Sequence, residues 1–302
     1  MGADTIQPGR RVGDHGTEAR SKIYLGEAIA VFREALTEFS GEEERPSWAN
    51  TQNSLGTCLR ALGELEDGTV RLEEALDSYR AALTVHDRQS NSRDWAICQN
   101  NLGIALRLLG ERTRDHRRLE EAVEAYRAAI SAYSVERLPL DWSLAQYNLG
   151  NLLVALEERE RKGGLLEEAV AAYRAALEVQ SRDRLPVDWA MTQNNLGNAL
   201  RILGERGAGI SYLEEALDAY VATLTVYDRQ REPADWAMSQ SNLGTTLWKL
   251  GELESGTVRL DEARTAIELA WQGYREGGMP GYDAWFEDRL KTLDEAIASR
   301  AG

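Results

Sequence analysis

Five tryptophans recur along the chain at a constant interval of 47 residues. Each is followed by a glutamine four residues later and then by a Leu-Gly pair. A period of about 20 to 50 residues is the signature of repeat proteins, whose neighbouring units stack and share one core. The spacing therefore predicts five copies of one structural unit, which begin at Trp48, Trp95, Trp142, Trp189 and Trp236.

Each unit contains two helical patterns, and we number its positions by their offset from the tryptophan. Offsets 0, 4, 7, 11 and 14 lie on one face of a first helix, helix A. The glutamine at offset 4 lies on that face, so we expect it to bond backbone groups between repeats. A second apolar pattern, from Leu72 through Tyr79 to Leu83, predicts helix B. The residue before each tryptophan is predicted to be the N-cap of helix A. It is Ser47 in the first copy and an aspartate in the other four: Asp94, Asp141, Asp188 and Asp235.

The array is predicted to begin and end on incomplete units. Residues 25–36 repeat the helix B pattern, with Phe32 in the position of Tyr79. A last helix starts at Trp285, two residues beyond the 47-residue register, and a polar outer face suits a cap. The predicted organisation is a flexible leader at 1–20 and one array over 21–302. The array comprises a half repeat (21–46), five repeats (47–284) and a capping helix (285–300), with roughly twelve helices.

Composition excludes several classes of partner. The formal net charge is -15, from 50 acidic and 35 basic side chains, which disfavours nucleic acid and anionic membranes. No apolar run approaches the roughly 20 residues that span a bilayer. The polar start lacks the apolar core of a signal peptide, and Cys58 and Cys98 cannot form a disulfide framework. We therefore expect a cytoplasmic protein.

The Leu55-Gly56, Leu59, Gly63, Ala75, Tyr79 and Ala82 pattern resembles the tetratricopeptide repeat. The resemblance covers nearly all of residues 25–284 and implies an all-α, right-handed α-solenoid of helix-turn-helix repeats. The usual period is about 34 residues, so we expect the extra length in the turns and loops of each unit. Long units with an Asp-Trp-Ala start look like a bacterial branch of this family, often found beside signalling or peptidase domains such as the CHAT type.

The resemblance implies that helix A lines a concave surface and that asparagine ladders there bind peptides. Offsets 2, 5, 6, 9, 12 and 13 are expected to be exposed. Amides both donate and accept, so a row of them can pair with a peptide backbone whatever its side chains are. The alternative is that the amides only tie adjacent helices together. The candidate residues at offsets 5 and 6 are Asn53, Asn100, Asn101, Tyr147, Asn148, Asn194, Asn195 and Asn242.

Two further rows flank the amides. A row of basic side chains at offset 12 suggests a carboxylate-bearing ligand. It consists of Arg60, Arg107 and Arg201, with Lys249 next to Trp248 in the last repeat. Alternatively, these arginines pair with nearby glutamates on a solvated face. The apolar residues at offset 2 are Ile97, Leu144, Met191 and Met238. They suggest a groove for a peptide with alternating hydrophobic residues. Alternatively, they are buried under the loops.

Nothing in the sequence indicates catalysis, a cofactor or a metal. His15, His86 and His116 lack the paired spacing of metal ligands, and no zinc-protease, P-loop or nucleophile-elbow motif occurs. We predict a protein-interaction scaffold that holds an extended or helical segment of a partner in its groove. The alternative is a homotypic structural module whose arrays associate through their ends or loops.

Overall fold

The computed structural model describes residues 15–160 and 163–301, which contain twelve α-helices and no strand. The predicted all-α fold class and the number of helices are therefore confirmed for the described residues. The helices are α1 (His15–Glu38), α2 (Arg45–Leu65), α3 (Val70–Leu83), α4 (Ser92–Thr113), α5 (His116–Ala132), α6 (Pro139–Glu160), α7 (Leu165–Val179), α8 (Pro186–Glu205), α9 (Ile210–Leu224), α10 (Pro233–Leu253), α11 (Val258–Glu276) and α12 (Asp283–Ala301).

The chain forms two compact units that divide between residues 161 and 162. The first unit contains α1 to α6 and the second contains α7 to α12. Even-numbered helices from α2 to α10 are the predicted A helices, and odd-numbered helices from α3 to α11 are their B partners. The dividing point lies inside the third repeat, between α6 and α7. The boundaries of a single array over 21–302 stay a prediction.

Helix α1 begins at His15, whereas the half repeat was predicted to begin at residue 21. The helix therefore includes part of the segment that was expected to be a flexible leader. Residues 1–14 lie outside the described residues. The extra length of each unit was predicted to lie in its turns and loops, and this is only partly right. In the second repeat the two helices have 22 and 17 residues, already more than the usual whole period of about 34. The extra length of each unit is therefore in the helices as well as in their connections.

A glycine on helix A lets helix B approach closely in every complete hairpin of the two units. A Cβ added at Gly56 would lie 2.8 Å from the Tyr79 ring, and one added at Gly103 would lie 2.9 Å from the Tyr126 ring. A second glycine, two helical turns later, is in close contact with a leucine of helix B: the Cβ position of Gly63 is 2.9 Å from Leu72. The tyrosines and leucines of these contacts are fully buried, so the core of each unit lies between its A and B helices.

The acidic residues before the tryptophans do not cap the A helices, so the predicted capping was wrong. Helices α8 and α10 begin at Pro186 and Pro233, and their third residues are Asp188 and Asp235. Proline suits the first helical position because its missing N–H would have no helical partner there. The carboxylates stand in the first turn, where they still favour the positive end of the helix.

The glutamines at offset 4 were predicted to bond backbone groups, and this was also wrong. All five are half-buried, and they form no hydrogen bond within the described part of the chain: Gln52, Gln99, Gln146, Gln193 and Gln240. A half-buried amide can be solvated by water, so its polarity needs no protein partner.

Helix α12 keeps the 47-residue register, although Trp285 does not. Asp283 stands at offset 0, and Leu290 and Ile297 stand at offsets 7 and 14 on the inner face. Arg300 donates to the carbonyls of Gly251 and Glu254 at the end of α10. Arg112, also at offset 17, donates to the carbonyl of Gly63 in the last turn of α2 at 2.9 Å and to that of Gly68 after the helix at 2.5 Å. Helix α12 therefore occupies the position of the A helix in a sixth repeat.

His86 occupies a buried corner between helix α3 and helix α4. Its Nδ1 lies 3.2 Å from the Asn91 amide nitrogen, while its Nε2 is buried without a hydrogen bond in the described structure. Burial lowers the pKa of His86 from its ordinary value of 6.5, and Asp94 acts in the opposite direction. The folded first unit therefore favours the neutral imidazole.

Replacement of Gly103 by alanine should lower the free energy of unfolding by about 1–3 kcal/mol, because the methyl group would overlap the Tyr126 ring. Gly26 is the matched control, since it is helical but has no atom within 4 Å of its Cβ position. Gly26→Ala should raise the free energy of unfolding by about 0.5–1 kcal/mol. Urea unfolding followed by circular dichroism measures both, and an equal effect of the two substitutions would contradict the packing role.

Acidification should destabilise the first unit through His86. The contribution of neutral His86 to the free energy of unfolding is fully present above about pH 6.5, the pKa of histidine in the unfolded chain. It is lost as the pH falls from there through the lower pKa of His86 in the folded protein, because the unfolded chain binds the proton first. His86→Gln should reduce the loss of melting temperature between about pH 7.5 and 5.5, since glutamine already fills the equivalent buried position 180. His116→Gln, at a partly exposed helix start, is the control and should leave the loss in place.

Candidate functional site

The accessible face of each A helix is narrower than predicted. Side chains at offsets 2, 6, 9 and 13 are half-buried or exposed in nearly every repeat, and we call this row of positions the A stripe. Offset 5 was predicted to be exposed, but Asn100, Asn194 and Ser241 are buried. Offset 12 was also predicted to be exposed, but Arg201 is buried and Arg60 and Arg107 are half-buried. Neighbouring A helices and the tyrosines of the B helices cover these positions.

The asparagines at offsets 5 and 6 pair between adjacent A helices. In the first unit, Asn101 on α4 donates its amide N–H to Oδ1 of Asn53 on α2, at 3.0 Å. In the second unit, Asn242 on α10 donates to Oδ1 of Asn194 on α8, at 3.1 Å. The offset 6 amide of one repeat thus donates to the offset 5 amide of the repeat before it. Both pairs agree with the alternative prediction, in which the amides tie adjacent helices together.

Pairing leaves part of each offset 6 amide unused. A carboxamide has two N–H donors and an oxygen that can accept two hydrogen bonds. Asn101 and Asn242 each spend one donor on the neighbouring helix, and both side chains stay half-exposed. Contact with a peptide is therefore compatible with the tie between helices. Peptide contact by this set stays a prediction.

The equivalent pair between α4 and α6 is open. Asn100 Oδ1 is buried and accepts no hydrogen bond from the described residues, and the half-exposed Asn148 makes none there either. Asn194 donates to Asn195 within α8 at 3.5 Å, and Tyr147 is half-buried on α6. The amide set is therefore not a uniform ladder, which identical spacing in the sequence does not reveal.

The arginines at offset 12 are held by glutamates one helical turn later. Arg107 donates to both carboxylate oxygens of Glu111 at 2.9 Å, Arg201 donates to Glu205 at 2.5 Å, and Arg60 pairs with Glu64. The guanidinium of Arg201 also faces the hydroxyl of Tyr220, whose pKa burial raises to about 12. These guanidinium groups are engaged inside the fold, which agrees with ion pairing by nearby glutamates, although on a packed and not a solvated face.

The last A helices carry a cationic and aromatic cluster. Trp248 fills offset 12 of α10, and Lys249 donates to Glu252 at 2.8 Å. The Arg289 guanidinium carbon lies 4.3 Å from the ring centroid of Trp285 and 5.8 Å from that of Trp248. Sequence reasoning placed Trp285 outside the register and missed Arg289. Adding 47 to Met238 and Asn242 identifies both as A stripe positions.

The described residues show no group of three or more His, Cys, Asp and Glu side chains that could hold a metal ion. Burial raises the pKa of the Cys98 thiol to about 12, and it raises that of the half-buried Cys58 thiol as well. Both cysteines are therefore poor nucleophiles near neutral pH. None of the described helices combines the length and the apolar character needed to cross a bilayer.

Replacement of Arg201 by methionine should lower the free energy of unfolding by about 1–3 kcal/mol, because it removes the buried guanidinium that binds Glu205 and faces the Tyr220 hydroxyl. Arg107→Met is the control and should cost less, since its side chain is 28% exposed against 5% for Arg201. Urea unfolding measures both variants. An equal cost at the two positions would contradict the importance of burial.

Sequence comparison identifies one family in two places. The tetratricopeptide repeat model matches residues 95–132 and 189–224. The first match covers most of α4 and all of α5, and the second covers most of α8 and all of α9. Each compact unit therefore contains one matched helix pair. No curated protein matches the chain.

Solved structures with a similar fold are distant in sequence. The crystal structure of BtubC from P. vanneervenii is 17% identical over 93% of this chain and 92% of that one, with a TM-score of 0.50. YrrB, described as a TPR protein with an unusual peptide-binding site, is 19% identical over 84% of this chain and 97% of that one, with a TM-score of 0.52. The C-terminal part of a TPR repeat-containing protein from Cytophaga hutchinsonii is 13% identical over 94% and 92%, with a TM-score of 0.50.

The helix pairs, the glycine contacts within them and the two family matches agree with one another. The other pairs repeat the same pattern at 47-residue intervals. The chain therefore contains tetratricopeptide repeats at residues 95–132 and 189–224, and its other helix pairs are similar to them.

Proposed function

We propose that the chain is a protein-interaction scaffold that holds an extended or helical segment of a partner protein along the A stripe. The observation that carries this proposal is the state of the offset 6 amides. Asn101 and Asn242 are each fixed by one hydrogen bond to the neighbouring helix, yet both keep a second N–H donor and stay half-exposed. Fixed polar groups bind with a smaller loss of side-chain entropy than mobile ones.

An apolar row runs beside the amides in each unit. In the second unit it consists of Met191, Met238 and Trp285, and in the first unit it includes Ile97 and Leu144. Met191 and Leu144 are exposed, and the other three are half-buried. Thioether and indole groups supply adaptable apolar contact area, while the adjacent amides supply hydrogen bonds to a peptide backbone. This combination suits a segment with hydrophobic side chains on one side.

Charge narrows the partner. The arginines at offset 12 were the reason to expect a carboxylate-bearing ligand, but their guanidinium groups already bind glutamates of the same helix. With a net charge of -15, the protein as a whole favours a neutral or basic partner segment. We therefore propose a peptide ligand recognised through its backbone and apolar side chains, without a required acidic group.

A peptide-binding site occurs in YrrB, which has the same fold, and this supports a binding role for the chain. The cytoplasmic location and the bacterial origin stay part of the proposal.

Peptides selected from a random dodecapeptide library against the whole chain provide the probe for this function. The triple variant Asn148→Ala, Asn195→Ala and Asn242→Ala should bind a selected peptide at least about tenfold more weakly, because each substitution removes a backbone contact. Fluorescence anisotropy, at a temperature where circular dichroism shows full helicity, measures the affinity.

The matched control removes two exposed amides outside the A helices, Gln89 and Gln230, which occupy equivalent loop positions. The control should bind the peptide as the original chain does. Unchanged affinity of the triple variant would reject the role of the amides. Failure to select any peptide that binds the folded chain would count against the function as a whole.

A further inference from the structure

An arginine from the loop before helix A covers the tryptophan ring in two of the repeats. The guanidinium carbon of Arg88 lies 6.0 Å from the ring centroid of Trp95, and that of Arg229 lies 5.0 Å from the ring centroid of Trp236. In both cases the arginine precedes the tryptophan by seven residues. Attraction between a cation and an aromatic face acts at such distances. The chain thus contains two examples of a guanidinium held over this indole ring.

The arginine at this position also reaches the end of the next helix B. Arg88 donates to the carbonyl of Ser131 at 3.4 Å. Arg182, which holds the equivalent position seven residues before Trp189, donates to the carbonyl of Thr225 at 3.0 Å. Both carbonyls belong to offset 36, at the C-terminal end of a helix, where a cation is favoured. An indole face and a carbonyl at offset 36 therefore form the binding place of the guanidinium.

In the first repeat the position of these arginines is a glycine. Gly41 stands seven residues before Trp48. A cavity of about 340 Å³ lies beside both residues, and Phe39, Thr84 and Val85 also line it. Cavities of roughly 300–1,000 Å³ are typical of small-ligand sites. We call this cavity the Trp48 pocket.

The backbone of the loop does not require a glycine there. Gly41 has a φ of −109°, an extended conformation that any residue can adopt. A Cβ added to it would lie 3.6 Å from its nearest neighbour, an oxygen of Glu44, which is an ordinary contact. The same Glu44 carboxylate accepts the backbone N–H groups of Ser40 and Gly41 at 2.9 and 3.0 Å and so fixes the loop. The effect of the glycine is therefore the missing side chain.

The Trp48 pocket retains both groups that hold the guanidinium in other repeats. Trp48 is half-buried. Thr84 stands at offset 36, and its carbonyl accepts no hydrogen bond from the described residues. This carbonyl is the counterpart of the two that bind Arg88 and Arg182. Phe39 and Val85 add apolar surface, which suits the stem of a long basic side chain.

The charges of the loop favour a cation in this place. Glu42 lines the pocket, and Glu43 and Glu44 follow it, against one basic residue, Arg45, which also lines the pocket. Arg45 pairs with Glu42 at 3.2 Å, and their side chains are 52% and 87% exposed. An exposed ion pair of this kind is weak, so Glu42 can exchange its partner at little cost. The net charge of the loop stays negative.

We propose that the Trp48 pocket binds the guanidinium group of an arginine side chain of a partner protein. The guanidinium lies on the Trp48 ring and donates to the Thr84 carbonyl, while the stem of the arginine contacts Phe39 and Val85. The partner thus supplies the group that the chain itself supplies in other repeats. None of the lining residues belongs to the A stripe, so this site does not depend on peptide binding there.

Acetyl-Gly-Arg-Gly-amide is the probe, and the same peptide with citrulline is its neutral control of equal shape. The whole chain is labelled with ¹⁵N-tryptophan, and the indole signal of Trp48 is assigned by its loss in Trp48→Phe. The arginine peptide should shift this signal, and the citrulline peptide should bind at least about fivefold more weakly. The signals of Trp95 and Trp236 should stay in place, because the chain's own arginines cover these rings.

Substitution of Gly41 tests the role of the missing side chain. Gly41→Arg should fill the pocket from within and weaken binding of the arginine peptide by at least about tenfold. Gly41→Ser is the matched control, since its short side chain leaves the pocket open and binding should be unchanged. Circular dichroism confirms that each variant is folded.

Three results would overturn the proposal. The first is a Trp48 signal that does not move with the arginine peptide at up to about 10 mM. The second is equal binding of the citrulline peptide, and the third is undiminished binding to Gly41→Arg. The probe carries no apolar side chain, so its failure to bind leaves the proposed role of the A stripe unaffected.

Discussion

The close contact between a glycine of helix A and an aromatic or leucine side chain of helix B is the interaction on which the fold depends. Without a Cβ at Gly56 or Gly103, the tyrosine ring lies directly on the backbone of the partner helix. This contact fixes both the distance between the helices and the rotation of helix A about its axis. The rotation in turn decides which offsets of helix A remain accessible.

The periodic features of the molecule could be predicted from the sequence. The interval between tryptophans predicts the number of repeats, and the apolar offsets predict which face of each helix is inside. These features depend on neighbours that are close in sequence or that recur at a constant distance. The prediction failed at helix starts, where Asp188 and Asp235 lie inside the helix and proline begins it.

Burial of the candidate site was harder to predict, because it depends on the next helix and not on the helix itself. Asn100 and Asn101 are adjacent in sequence, yet the first is buried and the second is half-exposed. A helical wheel places both on the outer side, whereas a neighbouring A helix covers only one. The same reason explains the burial of Arg201. A helical wheel predicts that its side chain is exposed, whereas contact with Tyr220 of the B helix buries it. Pairing at Asn53 and Asn194 but not at Asn100 depends on side-chain geometry that no spacing encodes.

The arginines at offset 17 have a consequence for how the chain unfolds. The last carbonyls of an α-helix have no partner within that helix. In the last turns of α2 and α10 such carbonyls accept hydrogen bonds from Arg112 and Arg300, which belong to the following A helix. A repeat thus completes the terminus of its predecessor, so loss of one unit withdraws hydrogen bonds from the unit before it. Fraying that starts at α12 would therefore be transmitted to α10, which gives nearest-neighbour cooperativity a direction along the chain.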